Sequence, residues 1–233
     1  MLAMAATPNH ADSADLAKPL RYAGFFVTEA VRTFRATGSV IPSSPALAER
    51  LTRYIDQRDD PSAPISILEA GSGTGPVSRA IAAHMHDGDT LDMVEPHGPF
   101  VEYARGLMQT DPDLARVADR ATLHQALVTD LGTDRRFDVI VSGLPFANFT
   151  AEEVREIMEY YFTVLRPGGR LSFFGYLYTK QVKSVIARRE DYLRQARSSW
   201  VVDEYVHRFG VDTERVLANF PPAWVHHLRK PAD

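Results

Sequence analysis

The alternation of apolar segments along the chain is the feature that most restricts its fold. After Pro64, short strand-like segments alternate with stretches whose apolar residues recur at helical spacing. The predicted strands are Ile65–Glu69, Thr90–Glu95, Ala121–Ala126, Phe137–Ser142 and Leu171–Tyr176. The predicted helices lie near residues 76–86, 98–109, 151–165 and 179–197. Because parallel strands need long crossover connections, this order predicts an α/β fold with helices on both faces of a mostly parallel sheet.

The two ends of the chain depart from this order. Trp200–Phe209 and Ala223–Arg229 have strand composition with no clear long helix between them, which predicts an antiparallel pair at the edge of a seven-stranded, Rossmann-like sheet. Ser44 and Pro45 are typical of a helix N-cap and a first helical position. We therefore expect a flexible start (1–19), an N-terminal helical extension (20–63) and one domain (64–233).

Composition excludes several classes of protein. The chain is 45% hydrophobic and contains no cysteine, which excludes disulfide scaffolds, thiol nucleophiles and cysteine-bound zinc, and we predict no metal site. Residues 61–160 carry seven Lys or Arg against sixteen Asp or Glu, whereas residues 161–233 carry twelve against seven. An acidic middle argues against general nucleic-acid binding. Since no apolar run is long enough to span a bilayer and the start lacks a secretory signal, we expect a soluble or peripheral protein.

A glycine-rich turn follows the first predicted strand. In ILEAGSGTGPVSRAI, residues 67–81, Glu69 precedes three alternate glycines and a helix that begins at Pro76. Glycine allows a sharp turn and the close approach of a ligand. The dinucleotide fingerprint would place a glycine at position 76, so the spacing instead resembles motif I of class I S-adenosylmethionine-dependent methyltransferases. The resemblance implies S-adenosyl-L-methionine as cofactor, with these contacts in the turn: Glu69, Gly71, Ser72, Gly73 and Gly75. A generic glycine turn and a different nucleotide site are the alternatives.

The ends of the next strands supply further candidate cofactor contacts. Glu95 lies twenty-four residues after Gly71, where a carboxylate can accept both ribose hydroxyls, although the same placement suits NAD. Gln125 stands where many methyltransferases carry an aspartate for the adenine amino group, and its carbonyl can accept the same hydrogen bond. Asp130 is the alternative acceptor. The predicted pocket is completed by Pro96, Ala126 and Ser142.

The segment after the fourth strand is the candidate acceptor loop. It reads Ser142-Gly143-Leu144-Pro145-Phe146. Enzymes that methylate adenine carry a similar segment, with an asparagine in the position of Gly143 that holds the planar amine. Glycine has no side chain for this task, which disfavours an adenine substrate.

Several segments together resemble the bacterial phospholipid N-methyltransferases. They are TGSVIPSSPALA, the glycine motif, VEP, SGLPF, LRPGGRLSFFGY and NFPPAWVHHLRK, and they cover most of the chain after residue 20. The departures are Gln125 and the turn at His97. The resemblance implies methyl transfer to phosphatidylethanolamine and its methylated intermediates toward phosphatidylcholine. An rRNA adenine or small-molecule amine methyltransferase, and a non-catalytic membrane-surface protein that keeps the fold, are the alternatives.

Methyl transfer to an amine needs a neutral lone pair aligned with the methyl group in a dry pocket. We expect the acceptor loop to form the pocket wall, with its carbonyls and the Ser142 hydroxyl orienting the amine. The sequence identifies no general base. His97, Tyr22 and Tyr176 are candidates for which structural roles are the stronger interpretation.

The N-terminal segment is amphipathic at helical spacing. Residues 18–35 carry four Lys or Arg against one Glu, and basic residues near an anionic surface contribute about 1 kcal/mol each. We therefore expect reversible contact with an anionic membrane, at the inner face of the cell membrane, with packing over the pocket as the alternative. The predicted contact residues are Arg21, Phe26, Val27, Val31, Arg32, Phe34 and Arg35. In the helix predicted at 179–197, Arg189 is a candidate ligand for a lipid phosphate.

Overall fold

The computed structural model describes residues 43–132, 134–177 and 189–232, which contain a seven-stranded sheet. The strands are β1 (Ser66–Ala70), β2 (Thr90–Val94), β3 (Ala121–His124), β4 (Phe137–Ser142), β5 (Leu165–Tyr176), β6 (Gly210–Val216) and β7 (Ala223–Arg229). The helices are α1 (Pro45–Asp56), α2 (Pro76–His84), α3 (Gly98–Thr110), α4 (Pro112–Val117), α5 (Ala151–Val164) and α6 (Arg189–Phe209). Short 3₁₀ turns lie at Ala118–Arg120, Val128–Asp130 and Phe146–Asn148.

The strand order is β3-β2-β1-β4-β5-β7-β6. Strands β1 to β5 pair in parallel, and β7 runs antiparallel to both of its neighbours. The predicted α/β class and the mostly parallel seven-stranded sheet are therefore confirmed. Since β7 is antiparallel to both β5 and β6, strand β6 runs in the same direction as β5. The connection from the end of β6 to the start of β7 therefore lies at the same edge as the carboxyl ends of the parallel strands.

Two apolar clusters cover the two faces of the sheet. One contains residues of α1, α2 and α4 together with Leu107 of α3, and the other contains residues of α5 and α6. The central strands β1 and β4 are almost fully buried, which is why they read as continuous apolar runs and not as alternating ones.

Helix α1 begins as the sequence predicts. The Ser44 hydroxyl accepts a hydrogen bond from the Leu47 amide at 3.1 Å, and Pro45 occupies the first helical position. The Ser44 amide donates to the Asn219 side chain at 2.9 Å, so the start of α1 is fixed to the connection between β6 and β7. The described fold therefore begins at the carboxyl edge of the sheet.

The secondary structure predicted for residues 200–209 is wrong. These residues form the second half of α6, and the edge strand is instead Gly210–Val216. The apolar residues Val201, Tyr205 and Phe209 recur at helical spacing and pack against α5 or the apolar cluster that contains it. This packing favours a helix. Strand β6 buries only Val216, so its sequence carries little strand signal. An antiparallel pair does lie at the edge of the sheet, with β6 as the partner of β7.

Several predictions fall outside the described residues. These are the flexible start (1–19), the amphipathic segment (18–35) with its membrane contacts, Tyr22, and most of the helix predicted at 179–197. Within residues 43–132, 134–177 and 189–232, no helix is both long and apolar enough to cross a bilayer.

Candidate active site

The strand order reverses between β1 and β4, whose carboxyl ends lie side by side. From β1 the chain moves to β2 and β3 on one side, and β4 and β5 extend the sheet on the other. Ligands of open parallel sheets bind in the crevice at this point. The glycine turn follows β1 and the candidate acceptor loop follows β4, so the fold places both predicted segments at one crevice.

The glycine turn has the backbone conformation that its sequence predicts. Gly71, Gly73 and Gly75 have φ angles of 79°, 51° and 85°, a region that side chains with a Cβ rarely adopt. A Cβ at Gly71 or Gly75 would meet leucine side chains at 2.8 and 2.6 Å, whereas a Cβ at Gly73 would meet nothing within 4 Å. The turn is therefore packed at its two ends and open at its centre, where a ligand can contact the backbone.

Glu69 lies beneath this turn and is fully buried. Its Oε2 accepts a hydrogen bond from the Ser78 hydroxyl of α2 at 2.7 Å, while Oε1 has no hydrogen-bond partner. Burial, reinforced by the nearby Glu95, raises the pKa of Glu69 to about 7. The buried Ser72 hydroxyl in the turn also has no partner. Two unpaired polar groups beside an open glycine turn suit a ligand that brings hydrogen-bond donors, such as an ammonium group.

Replacing Glu69 with glutamine should alter the pH dependence of folding and of cofactor binding. Because the folded-state pKa lies above the ordinary value of 4.5, the folded protein binds this proton more tightly than the unfolded chain. The resulting stability is fully present below pH 4.5 and is lost as pH rises through about 7. In the wild type, the free energy of unfolding should therefore fall by up to about 3 kcal/mol over this pH range, and Glu69→Gln should abolish the fall. Urea unfolding across the pH range measures both.

The cofactor should show the opposite pH trend. An ammonium group favours the ionised carboxylate, so the wild-type affinity should rise up to about pH 7 and then level off. Calorimetry on Glu69→Gln should find weaker binding and no such rise, and Glu69→Ala should also bind more weakly. The exposed Glu102, replaced by glutamine, is the matched control. An unchanged pH profile in Glu69→Gln would assign the titration to another group.

Glu95 lies immediately after β2 and connects two turns. Its Oε2 accepts from the Gly73 amide and its Oε1 from the His97 amide, both at 3.1 Å. Burial raises the pKa of this carboxyl, and the two backbone hydrogen bonds oppose the shift. Each carboxylate oxygen keeps a second lone pair. The side chain can therefore hold the glycine turn in place and accept the two hydroxyls of a ribose.

The residues after β2 and β3 form the rim of the crevice. The Nε2 atom of Gln125 lies 3.4 Å from the position that a Cβ on Gly98 would take, at the start of α3. Gln125 is exposed, as is Asp130 in a 3₁₀ turn, whereas Pro96 and Ala126 are half-buried. This placement suits the assignment of Gln125 to the adenine end of the ligand, which stays a prediction.

The acceptor loop is seated on the glycine turn. The Gly143 amide donates to the Ala70 carbonyl at 2.8 Å. A Cβ on Gly143 would lie 2.8 Å from the Gly71 carbonyl oxygen, which is closer than real Cβ atoms approach. The Leu144 side chain in turn lies 2.8 Å from the position that a Cβ on Gly71 would occupy. The two segments therefore fit together only because both positions are glycine.

The Ser142 hydroxyl has a partner on another element. It is fully buried and accepts a hydrogen bond from the Tyr161 hydroxyl of α5 at 2.9 Å. Burial raises the pKa of Tyr161 far above its ordinary range, so this phenol stays a donor. The hydroxyl therefore anchors the loop to α5, and its contact with the cofactor or the amine stays a prediction.

The predicted Phe146 contact lies inside the protein. Its ring is buried and meets the rings of Phe173 and Phe149 edge-on, at centroid distances of 5.4 and 6.4 Å. Phe146 therefore forms an apolar support behind the loop. Pro145 precedes the 3₁₀ turn that contains it.

Sequence reasoning missed two supporting residues, Ser78 and Tyr161. Both are polar residues on otherwise apolar helix faces, beside Val77 and Ile81 in α2 and beside Met158 in α5. A polar group at such a position needs a partner, and this is the signal that could have identified them.

The candidate bases differ in position and charge. Burial lowers the pKa of His97, which leaves the ring neutral, but it follows β2 and is separated from β4 by β1. Tyr176 ends β5, beside β4, and burial raises its pKa, so it keeps its proton at neutral pH. Arg189 is the first residue of α6, and its side chain lies outside the described residues.

The fold, the glycine turn and the buried carboxylates define a class of protein. The model of a protein family described as "methyltransferase domain" matches residues 67–169, from β1 into β5. The protein is an S-adenosylmethionine-dependent methyltransferase, and its sheet has the Rossmann-like fold of the class I enzymes. The residues present fit that cofactor, because the orphaned Glu69 oxygen, the open face of Gly73 and the free lone pairs of Glu95 offer sites for its ammonium, its backbone contacts and its ribose.

Individual proteins resemble the chain over most of its length. The ornithine lipid N-methyltransferase of Singulisphaera acidiphila is 28% identical over 196 residues, which cover 83% of this chain and 88% of that protein. The 1,6-didemethyltoxoflavin-N1-methyltransferase of Burkholderia thailandensis was solved with bound 1,6-didemethyltoxoflavin and S-adenosylhomocysteine. It has a TM-score of 0.64 at 18% identity, over 97% of this chain and 100% of that protein's chain. An O-methyltransferase from Bacillus cereus has a TM-score of 0.64 at 14% identity, over 88% and 90% of the two chains.

Proposed function

We propose that this methyltransferase acts on the headgroup amine of a membrane lipid, with phosphatidylethanolamine and its methylated intermediates as acceptors toward phosphatidylcholine. The observation that carries the proposal is the seating of Gly143 against the Gly71 carbonyl, where even a Cβ would lie 2.8 Å from the oxygen. This backbone has no room for the asparagine that would hold a planar adenine amine. A loop that offers main-chain carbonyls and apolar side chains suits an alkyl amine.

The lipid part of the proposal has separate support. The relative from Singulisphaera acidiphila is named for N-methylation of a lipid, and the similarity covers 83% of this chain. The N-terminal segment predicted to contact an anionic membrane joins the fold at the carboxyl edge of the sheet, beside Asn219. A membrane substrate at the inner face of the cell membrane would approach the crevice from this edge.

The chemistry assigns distinct tasks to the chain. S-adenosylmethionine, when bound, supplies an electrophilic methyl group on its sulfonium. Carbonyls of the acceptor loop accept hydrogen bonds from the amine and so aim its lone pair at the glycine turn. The buried rings of Phe146 and Phe173 keep water away from one side of the loop. Since lipid ethanolamine is mostly protonated near neutral pH, the ammonium must lose a proton to water or a base before the nitrogen forms its new bond.

Labelled S-adenosylmethionine and vesicles of defined lipids test the proposal. We expect label in phosphatidylethanolamine and its monomethyl and dimethyl forms. Phosphatidylcholine vesicles are the matched control, because a quaternary amine has no lone pair to accept a methyl group. Ornithine lipid and an adenine-containing RNA form separate arms.

The arms separate the parts of the proposal. Label in ornithine lipid but not in phosphatidylethanolamine would overturn the named acceptor and keep the amine-lipid class. Label in RNA alone, or no label although calorimetry detects cofactor binding, would overturn the lipid substrate altogether.

A further inference from the structure

The connection between β6 and β7 exposes two large apolar side chains. Leu217 is 70% exposed and Phe220 is 77% exposed, and Ala218 and Pro221 between and beside them are also exposed. We refer to residues 217–222 as the β6–β7 tip. Exposing clustered large apolar side chains to water is energetically unfavourable, and such clusters on a surface typically mark a site of interaction.

The tip lies at the functional edge of the sheet. Ala223, the first residue of β7, pairs with Tyr176, the last residue of β5. The tip therefore lies at the end of β5, three residues beyond Phe173, with which the last residue of β4 pairs. Strands β5 and β7 lie between the tip and β4, and at the usual spacing of strands the lateral separation is about 12 Å.

The tip is held in one conformation by its only buried polar side chain, Asn219. Its Nδ2 donates to the Pro221 carbonyl at 2.7 Å, and its Oδ1 accepts from the Ser44 amide at 2.9 Å. A hydrogen bond from the Leu177 amide to the Pro222 carbonyl continues the pairing of β5 beyond the strand. The two apolar side chains thus project from a fixed base, and little entropy is lost when they bind.

The surroundings of the tip favour an anionic surface. No Asp or Glu occurs from Arg215 to Ala232, in a chain with 30 acidic residues. The acidic residues nearest to the tip in the sequence, Glu214 and Asp212, form ion pairs with Arg53 at 2.9 and 2.6 Å. Arg215 lies over the Trp224 ring at 4.6 Å, so a cation and an indole stand beside the apolar tip. Aromatic and basic side chains that border an apolar insertion are typical of membrane interfaces.

We propose that the β6–β7 tip is a membrane-docking element that inserts Leu217 and Phe220 into the lipid interface beside the crevice. This inference rests on the proposed lipid substrate and adds the surface by which the enzyme meets it. Insertion at this edge orients the carboxyl ends of the strands toward the bilayer, so a headgroup amine can reach the acceptor loop while its acyl chains stay in the membrane. The occupant is the lipid interface itself, not a second protein.

Site-specific labelling tests the contact directly. Because the chain contains no cysteine, Phe220→Cys and Leu217→Cys each provide a single site for an environment-sensitive fluorophore in the full chain. The matched control is Val211→Cys, which is 48% exposed and lies at the opposite end of β6. The probe membranes are phosphatidylcholine vesicles with phosphatidylglycerol, which contain no primary amine.

We expect the labels at 217 and 220 to become brighter and blue-shifted when vesicles are added, and the label at 211 to stay unchanged. The double variant Leu217→Ser/Phe220→Ser should bind vesicles on the order of 30-fold more weakly than wild type, whereas Val211→Ser should not. Vesicle binding by the wild type without a response at 217 or 220 would overturn the proposal. So would a response already present without vesicles, since it would show that protein covers the tip.

An activity measurement separates this proposal from the proposed function. The double variant should lose methyl transfer to vesicle phosphatidylethanolamine and keep it with dihexanoyl phosphatidylethanolamine below its micelle concentration. Equal loss with both acceptors would overturn the docking role, because it would place the defect in the chemistry. If the wild type methylates neither acceptor, the proposed function fails, and the fluorescence result alone decides the membrane contact.

Discussion

Replacing Glu95 with alanine is expected to lower the affinity for S-adenosylmethionine at least about 100-fold. A hydrogen bond to a charged group contributes about 1.5–3 kcal/mol, and this carboxylate has a free lone pair on each oxygen for two ribose hydroxyls. The substitution also leaves the Gly73 and His97 amides without their partner, which loosens the turn that the cofactor must contact. Calorimetric titration measures the loss, and thermal unfolding establishes that the fold is kept.

Two further variants make the result specific. Glu95→Gln keeps one acceptor and the shape of the side chain, so its affinity should lie between those of wild type and Glu95→Ala. Glu102→Ala removes an exposed glutamate of α3 and should bind the cofactor like the wild type. Wild-type affinity in Glu95→Ala would mean that the ribose lies elsewhere.

Replacing Gly143 with alanine is expected to reduce the rate of methyl transfer about 100-fold at saturating cofactor. The added methyl would lie 2.8 Å from the Gly71 carbonyl oxygen, a backbone atom that has no side-chain rotamer to relieve the contact. The acceptor loop must therefore move away from the glycine turn. A displacement of about 1 Å in a reacting pair can cost this much rate, because methyl transfer requires close alignment.

The control for this variant is Gly175→Ala. Gly175 lies in β5 near the same edge of the sheet, and a Cβ there would meet nothing within 4 Å. This variant should retain turnover close to wild type. Single-turnover kinetics separates transfer from cofactor binding, and a Gly143→Ala enzyme with wild-type transfer would show that the loop does not position the acceptor.

The parts of the fold that were predicted correctly have strong local signals. Strands β1 and β4 are short apolar runs bounded by turn residues, and at the helix start the Ser44 hydroxyl accepts from the Leu47 amide, three residues later. Residues 200–209 were misassigned because their β-branched and aromatic residues give them a strand composition, whereas the helical spacing of Val201, Tyr205 and Phe209 and their contact with α5 favour a helix. Strand β6 escaped prediction because an edge strand that buries one residue depends on pairing with β7 and not on its own composition.

The candidate site divides in the same way. The glycine turn and Glu95 were identifiable because backbone freedom and a buried charge demand particular residue types at fixed positions. The hydrogen bond between Ser142 and Tyr161 was not predictable, because Tyr161 lies nineteen residues later on another element. The Phe146 ring is likewise buried, because it packs against the rings of Phe173 and Phe149.

The sequence by itself determined the alternation of strands and helices from β1 to β5, the cofactor turn and the glycine where an adenine-binding side chain would stand. These properties follow from periodicity and from the steric freedom of glycine, which act within a few residues. Only the tertiary structure decided that Gly143 rests on the Gly71 carbonyl, that Glu69 is buried with one unpaired oxygen, and that Leu217 and Phe220 project at the edge where the crevice opens. Each of these depends on contacts between segments far apart in the chain, and such contacts are fixed by packing of the sheet and its helices.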